Sequence, residues 1–560
     1  MEKIWLKSYQ QGVNAEIDMS AYASVAAIFD DSVKKFANRP AYHNMGKTLS
    51  YQQASEQVDH FASYLRHKLK LAKGARVAVM MPNVLQYPIA VFGILKAELA
   101  VVNVNPLYTP RELEHQLKDS GATTIIVLEN FANTLEQVLP RTPIEHVIVA
   151  SIGDMLGFKG CIANFVVRHV KKMVPNFRIA HQIKFNDTLS EGKHLPKVVP
   201  NLNHDDIAFL QYTGGTTGVA KGAVLTHGNI VANVLQVSEW IGRDIRAGEE
   251  VVITALPLYH IFSLTANLMT FTMFGGVNVL ITNPRDMAGF VKELRQHKVT
   301  ILTGVNTLFN GLLNNKDFAS VDFSSWRFAL GGGMAVQRPV AEKWTKVTGI
   351  PLVEAYGLTE TSPAACINPL DTGNKIGYIG LPIPSTEVSI RDNEGQEVEI
   401  GKAGELWIKG PQVMREYWNR PDETAKTLDE HRFLATGDIA CIDAEGFVKL
   451  VDRKKDMIVV SGFNVYPNEV EDVVAGHPDV LEVACIGVAH PRSGEALKLF
   501  IVSKSPSLKA EDIIAYCREN LTAYKVPKLI EFREELPKTN VGKILRRALR
   551  DEEEAKQPKA

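Results

Sequence analysis

From Arg76 onward the chain alternates short β-branched runs with helix-period segments, and this rhythm constrains the fold more than any other feature. RVAVMM (76–81) precedes the helix-like QYPIAVFGILKAEL, AVVNVN follows it, and ATTIIVL comes after one more helix. The spacing predicts that helix from its first residues. Thr109 and Glu112 form a capping box with Pro110 at the first helical position, Leu113 and Leu117 share a face, and Gly121 ends the segment. Strands separated by helices imply a parallel sheet covered on its faces. The same units recur at VTILTGV, FALGGG and IPLVEAYG.

After about residue 380 short strands and glycine turns dominate, as in ELWI (405–408) and GFVKL (446–450), which predicts a small antiparallel section. The polar run Asp452-Arg453-Lys454-Lys455-Asp456 reads as a linker. The roughly 105 residues beyond it suffice for a separate α+β domain. The expected fold class is therefore α/β, with a large N-terminal domain over 1–453 and a smaller C-terminal α+β domain over 454–560.

Between Val251 and Pro284 there is no charged residue, but Pro257, His260, Asn267, Gly275-Gly276 and Asn278 break the stretch into pieces. It reads as strand, loop, apolar helix (262–274) and strand in a buried core rather than as a membrane span. Lys plus Arg (62) nearly balances Asp plus Glu (63), so the global positive field typical of nucleic-acid binding is missing. The five cysteines are scattered and form no CxxC, which favours a reducing compartment over a disulfide frame or zinc site. The first residues, MEKIWLKSYQQGVNAEID, contain no apolar signal core, and a cytoplasmic location is expected.

Residues 151–185 carry Lys159, Arg168, Lys171, Lys172, Arg178 and Lys184 against one acidic residue, Asp154. On a helical wheel Val166, Val167, Val170, Met173 and Val174 share one side, and Arg168, His169, Lys171 and Lys172 the other. Two readings stand side by side: a helix lying on an anionic membrane surface, and a surface helix docked on its own domain.

The segment Tyr212-Thr213-Gly214-Gly215-Thr216-Thr217-Gly218-Val219-Ala220-Lys221-Gly222 follows an apolar run. Its glycines let backbone N–H groups approach an anion, its threonines add hydroxyl donors and Lys221 adds a charge, a combination suited to a triphosphate. The spacing is neither GxxxxGK[ST] nor GxGxxG.

This segment resembles the signature of the adenylate-forming enzymes: acyl-CoA synthetases, luciferases and peptide-synthetase adenylation domains. Tyr356-Gly357-Leu358-Thr359-Glu360, Thr436-Gly437-Asp438, Asp452 to Asp456, Ser461 to Val465 and Pro537 to Ile544 follow in the family's order. With VNVNPLYTPRELEHQL and LPLYHIF, the chain is most similar to the bacterial long-chain fatty-acid–CoA ligases of β-oxidation. One departure is EHRFLATGD (430–438), where such chains usually read NGWLHTGD.

The resemblance implies ATP as co-substrate, with Mg²⁺ held by Thr213 and Glu360, and a fatty acid passed through acyl-AMP to coenzyme A. It assigns the β- and γ-phosphates to Thr213, Gly214, Gly215, Thr216, Thr217, Gly218 and Lys221. The α-phosphate falls to Thr359. Tyr356 would stack on adenine, with Gly331, Gly332, Gly333, Ala355 and Gly357 around it, and Asp438 would take the ribose, with Arg453 and Lys455 nearby. Lys543 becomes the catalytic cation, His260 flanks the nucleotide and acyl carboxylate, and Gly304 to Thr307 with the helix after His260 line the acyl tunnel. Ser461, Gly462 and Phe463 would meet coenzyme A after a rotation that withdraws Lys543. Alternatives are a medium-chain or aryl acid–CoA ligase, an acyl-AMP ligase, and a non-catalytic nucleotide-binding membrane regulator. No nucleic acid is expected as partner, whereas peripheral contact with the inner membrane surface and a homodimer are compatible with this reading.

Overall fold

The computed structural model describes residues 2–213, 220–371, 373–490 and 493–556. The β–α rhythm resolves into two large sheets. One has seven strands in the spatial order Ile183–Lys184, His146–Ala150, Thr124–Leu128, Arg76–Met80, Ala100–Asn103, Ile207–Thr213 and Lys221–Thr226. All neighbours are parallel except the last pair, which is antiparallel. The other has nine strands, with a parallel centre running from Leu352–Gly357 through Phe328–Gly331, Ile301–Gly304 and Val251–Thr254 to Val277–Leu280.

Central strands such as Thr124–Leu128 and Ile301–Gly304 are buried at every position, as parallel strands covered on both faces must be. The helix Gln86–Lys96 is likewise buried along its whole length. Its neighbour Pro110–Ser120 starts at the expected capping box and stops at Gly121, which adopts the left-handed conformation. The uncharged stretch is core: two strands of the nine-stranded sheet flank a helical segment from Ile261 to Met273. Among the described residues no helix is long and apolar enough to cross a membrane.

The antiparallel section is a four-stranded sheet of Glu387–Arg391, Gly404–Lys409, Leu434–Ile442 and Val448–Arg453. A smaller C-terminal domain follows, in which five strands are packed with the helices Pro467–Ala475, Ala510–Asn520 and Arg546–Lys556. Its apolar cluster around Ile458, Val470, Leu499 and Ile513 is distinct from the main core.

Two expectations are overturned. The run Asp452–Asp456 is not a solvated linker: Asp452 is fully buried at the end of a strand, and Asp456 is buried in the turn after it. Arg546 reaches both carboxylates (3.2 and 3.5 Å) and pairs with Glu471 at 2.7 Å, while Arg550 takes Asp456 at 2.8 Å. Three acids and two bases from distant parts of the chain are thus paired with one another there.

The second correction concerns the basic segment. Its helix starts at Phe158, and the turn Val166–Val170 is a π-helix, which shifts the wheel. Val167 packs inward, whereas Val170 and Met173 are exposed together with Phe158, Ile162 and Phe165. Arg168, expected on the outer polar side, is tied to the domain through Glu129 (2.7 Å) and Ser151 (2.9 Å).

Candidate active site

The strands Phe328–Gly331 and Leu352–Gly357 run side by side, and the chain leaving each forms one wall of a cleft. Gly332, Gly333, Ala355, Tyr356, Gly357 and Thr359 all line it. His260 enters from the loop before the helical segment Ile261–Ser263, and Lys543 enters from the C-terminal domain. Gly331 does not line the cleft. A Cβ there would meet Val336 at 2.6 Å, so the side of Gly331 that a side chain would occupy faces the core.

Lys543 is held in the cleft from below. The hydroxyl of Thr307 donates to the carbonyl of Gly542 at 2.9 Å. Asn310 donates to the carbonyl of Leu481 at 2.8 Å, and the backbone N–H of Arg338 to Asp472 at 2.9 Å. Thr307, expected along the acyl tunnel, therefore has its hydroxyl engaged in seating the loop that carries the lysine.

Burial in the cleft, with Arg453 adding like charge, pulls the Lys543 ammonium down to about 8, while Asp438 opposes the shift. Burial next to Lys543 lowers His260 to about 3, so its imidazole is neutral and its Nδ1 accepts from the N–H of Phe262 at 3.4 Å. The side wall thus presents one cation and one neutral ring toward any anion.

Tyr356 and Asp438 form the far end. The phenol donates to Asp438 Oδ2 at 2.5 Å, and Arg453, opposite Asp438 across paired strands, lies 3.7 Å from Oδ1. Burial raises the Asp438 carboxyl, and Arg453 and Tyr356 oppose that rise. Burial, followed by the carboxylate beside it, also raises the Tyr356 phenol. Lys455 is an exposed residue of the turn that follows.

At the other end Thr213 and Lys221 are directly opposed across the antiparallel pair. The intervening Gly214, Gly215, Thr216, Thr217 and Gly218 lie outside the described residues. Glu360, in the short turn Thr359–Thr361, accepts from the phenol of Tyr417 at 2.6 Å. Carboxylate and hydroxyl oxygens of this kind are the hard donors that Mg²⁺ prefers, and the donor set at Thr213 and Glu360 fits such an ion. Tyr417 itself was not singled out in the sequence. It lies 57 residues from its partner, and no local pattern marks it.

Ser461, Gly462 and Phe463 are not in the cleft. Ser461 and Gly462 form the two-residue turn between the strands Ile458–Val460 and Phe463–Val465, both with positive φ (51° and 85°), as a tight hairpin requires. All three residues are exposed, and the Phe463 ring stacks on Tyr524 at 4.7 Å.

Residues 29–418 match the family of AMP-binding enzymes, and residues 469–543 match the AMP-binding enzyme C-terminal domain. The chain belongs to the AMP-binding enzyme family. This AMP-binding enzyme is 55% identical to a long-chain-fatty-acid–CoA ligase of Escherichia coli O157:H7 over 557 residues, covering 99% of each chain. It is 37% identical to the ligase of that name from Bacillus subtilis over 555 residues, covering 99% of this chain and 98% of the relative. Among solved structures it resembles an anthranilate CoA ligase in complex with anthranoyl-AMP, with TM-score 0.86 and 26% identity, covering 96% and 99% of the two chains. A benzoate CoA ligase from Burkholderia xenovorans LB400 superimposes with TM-score 0.81 at 26% identity, covering 94% and 100%. The AMP-binding enzyme therefore has the adenylate-forming fold, and it is an AMP-forming acid–thiol ligase.

Proposed function

We propose that this chain activates long-chain fatty acids as their coenzyme A thioesters, in two steps at one cleft. The observation that carries the reading is the placement of Lys543, from the C-terminal domain, between neutral His260 and the Gly332-Gly333 floor.

A carboxylate is a poor electrophile because its charge repels nucleophiles and oxide is a bad leaving group. In the first step the fatty carboxylate attacks the α-phosphorus of ATP, the bond to the β-phosphate oxygen breaks, and pyrophosphate leaves. Two anions must be brought together, and Lys543 is placed to offset their charge. Thr359 holds the α-phosphate, Tyr356 covers adenine and Asp438 accepts from the ribose hydroxyls. Thr213 and Glu360 would hold Mg²⁺, which when bound offsets phosphate charge. In the second step the thiol of coenzyme A displaces AMP and loses its proton.

Thiol attack needs a surface other than the one that presents Lys543, so a mobile C-terminal domain over 454–560 would turn about a hinge near Lys455 and withdraw the lysine. That rotation would bring the exposed turn at Ser461, Gly462 and Phe463 to coenzyme A. The apolar wall of the cleft, with Val237, Ile261, Phe262, Ala266 and Ile367, supports an alkyl substrate. Each buried CH₂ contributes about 0.8 kcal/mol, so two further carbons are worth roughly fifteenfold in affinity. The helix that exposes Phe158, Ile162 and Phe165 would rest on the membrane surface that supplies such acids.

Pyrophosphate release with acids of graded length, with and without coenzyme A, tests the reading. Release that rises with chain length and is accompanied by thioester is expected. Release without thioester would mark an acyl-AMP ligase instead.

A further inference from the structure

Tyr417 joins two charged groups that come from different parts of the chain. Its hydroxyl donates to Glu360 Oε1 at 2.6 Å. The face of its ring lies under Lys221, with Nζ 4.3 Å from the centroid, and the same ammonium lies 2.9 Å from Glu423 Oε2. The ring is 5% exposed. Its backbone is fixed as well: the N–H of Tyr417 donates to Thr424 Oγ1 at 3.0 Å, and the residue bridges to Ala223. The backbone of Glu360 is tied to the same segment, since the N–H of Met414 donates to its carbonyl at 2.7 Å.

We propose that Tyr417 is a positioning residue of the phosphate site, one that sets the orientation of the Glu360 carboxylate and the height of Lys221 together. The proposal rests on the reading of Glu360 as metal ligand and Lys221 as phosphate cation. A glutamate side chain has three rotatable bonds, and a ligand that must be found anew at each binding event loses affinity through ordering. A short hydrogen bond from a buried phenol to one carboxylate oxygen removes that freedom in advance and leaves the second oxygen for the ion. The π-face below Lys221 is attractive to an ammonium without neutralising it, so the lysine can exchange Glu423 for a phosphate and keep the same support.

The hydroxyl and the ring are separable by substitution. Tyr417→Phe removes only the donor to Glu360, and Tyr417→Leu removes the π-face as well. Mn²⁺ serves as a paramagnetic stand-in for Mg²⁺, titrated into the full-length protein with α,β-methylene ATP and followed by electron paramagnetic resonance of the free ion. Tyr417→Phe is expected to weaken ion binding roughly tenfold, the worth of one hydrogen bond to a charged acceptor. Binding of the analogue without metal should hold in that variant and fall in Tyr417→Leu. Thermal midpoints accompany both. A lowered midpoint in Tyr417→Phe with wild-type ion affinity would make the residue a packing group and overturn the proposal.

Glu360→Gln separates the two levels of the argument. If it loses ion binding while Tyr417→Phe does not, the positioning role alone falls. If Glu360→Gln binds the ion normally, the metal-ligand reading falls and takes the proposal with it.

Discussion

Gly333 leaves the space that Lys543 occupies: a Cβ at Gly333 would lie 3.2 Å from Lys543 Cε and 3.6 Å from Nζ. The backbone there has φ +76°, a conformation that costs an L side chain roughly 1–2 kcal/mol. Gly333→Ala should therefore displace the lysine by a few tenths of an ångström. A full ångström at a reacting centre costs on the order of a hundredfold, so acyl-AMP formation, followed by ATP–pyrophosphate exchange, is expected to drop roughly tenfold. Conversion of supplied acyl-AMP with coenzyme A, for which the proposed rotation withdraws the lysine, should stay near wild type. Equal loss in both halves would contradict the placement.

The charge of Lys543 gives the first half-reaction an alkaline limit. Its ammonium titrates at about 8, below the usual 10.5, so the cation is fully present at lower pH and is lost as pH rises through 8. Pyrophosphate exchange should fall roughly tenfold per pH unit above that point. Lys543→Arg keeps its charge to much higher pH and should be slower but flat on the alkaline side. An alkaline limb that persists in the arginine variant would assign the titration to another group.

Asp438 is buried with two partners, and this sets how its loss should read out. Asp438→Asn keeps the size of the side chain but removes the charge that Arg453 faces and the strong acceptor that Tyr356 and a ribose need. Hydrogen bonds to a charged acceptor are worth about 1.5–3 kcal/mol. ATP binding measured by calorimetry should weaken roughly ten- to hundredfold, with fatty-acid binding little changed. An unchanged ATP affinity would remove Asp438 from the nucleotide site.

Most of the sheet order was legible because buried parallel strands and capped helices leave local marks, as Thr109, Pro110 and Gly121 show. Some of the motif residues do line the cleft, Gly332, Gly333, Tyr356, Thr359 and Lys543 among them. Asp452 and Asp456 were not legible as core, because their counter-ions Arg546 and Arg550 lie some 90 residues further along, and a charge run looks solvated until its partners are known. The exposed apolar face of Phe158, Ile162 and Phe165 was missed because it lies in the regular helix before Val166, the residue at which the apolar side of the wheel begins.

That buried charge cluster predicts an unusual sensitivity at Arg546. Its guanidinium donates to both oxygens of Glu471 (2.9 and 2.7 Å) and faces the fully buried Asp452. Removing it leaves buried carboxylates without a counter-ion, a change that typically costs about 3–5 kcal/mol. Arg546→Met should accelerate amide exchange in the strands Val480–His490 and Gly494–Ser503 well before the large sheets open. Arg546→Lys cannot span Glu471 in the same fork and should recover only part of the loss. Exchange as slow as wild type in the methionine variant would show that the cluster contributes little.

The helix Phe158–Phe165 turns three large apolar residues to solvent at a spacing of four and three: Phe158 (85% exposed), Ile162 (57%) and Phe165 (60%). Lys159, Lys171 and Lys172 are exposed around them, while Arg168 is held by Glu129 and is not available to a partner in the same way. An apolar stripe flanked by free ammonium groups matches the interface of an anionic bilayer, where each basic residue adds about 1 kcal/mol. Sedimentation with vesicles containing phosphatidylglycerol should be lost when Phe158, Ile162 and Phe165 are all replaced by serine. Replacing Lys171 and Lys172 by glutamine should weaken it roughly tenfold or more on anionic vesicles, and raised salt should weaken wild-type binding. Pyrophosphate release with a detergent-dispersed acid should survive both changes, since the helix lines no part of the cleft. If the triple serine variant still sediments like the wild type, the exposed face has some other use and the chain meets lipid elsewhere or not at all.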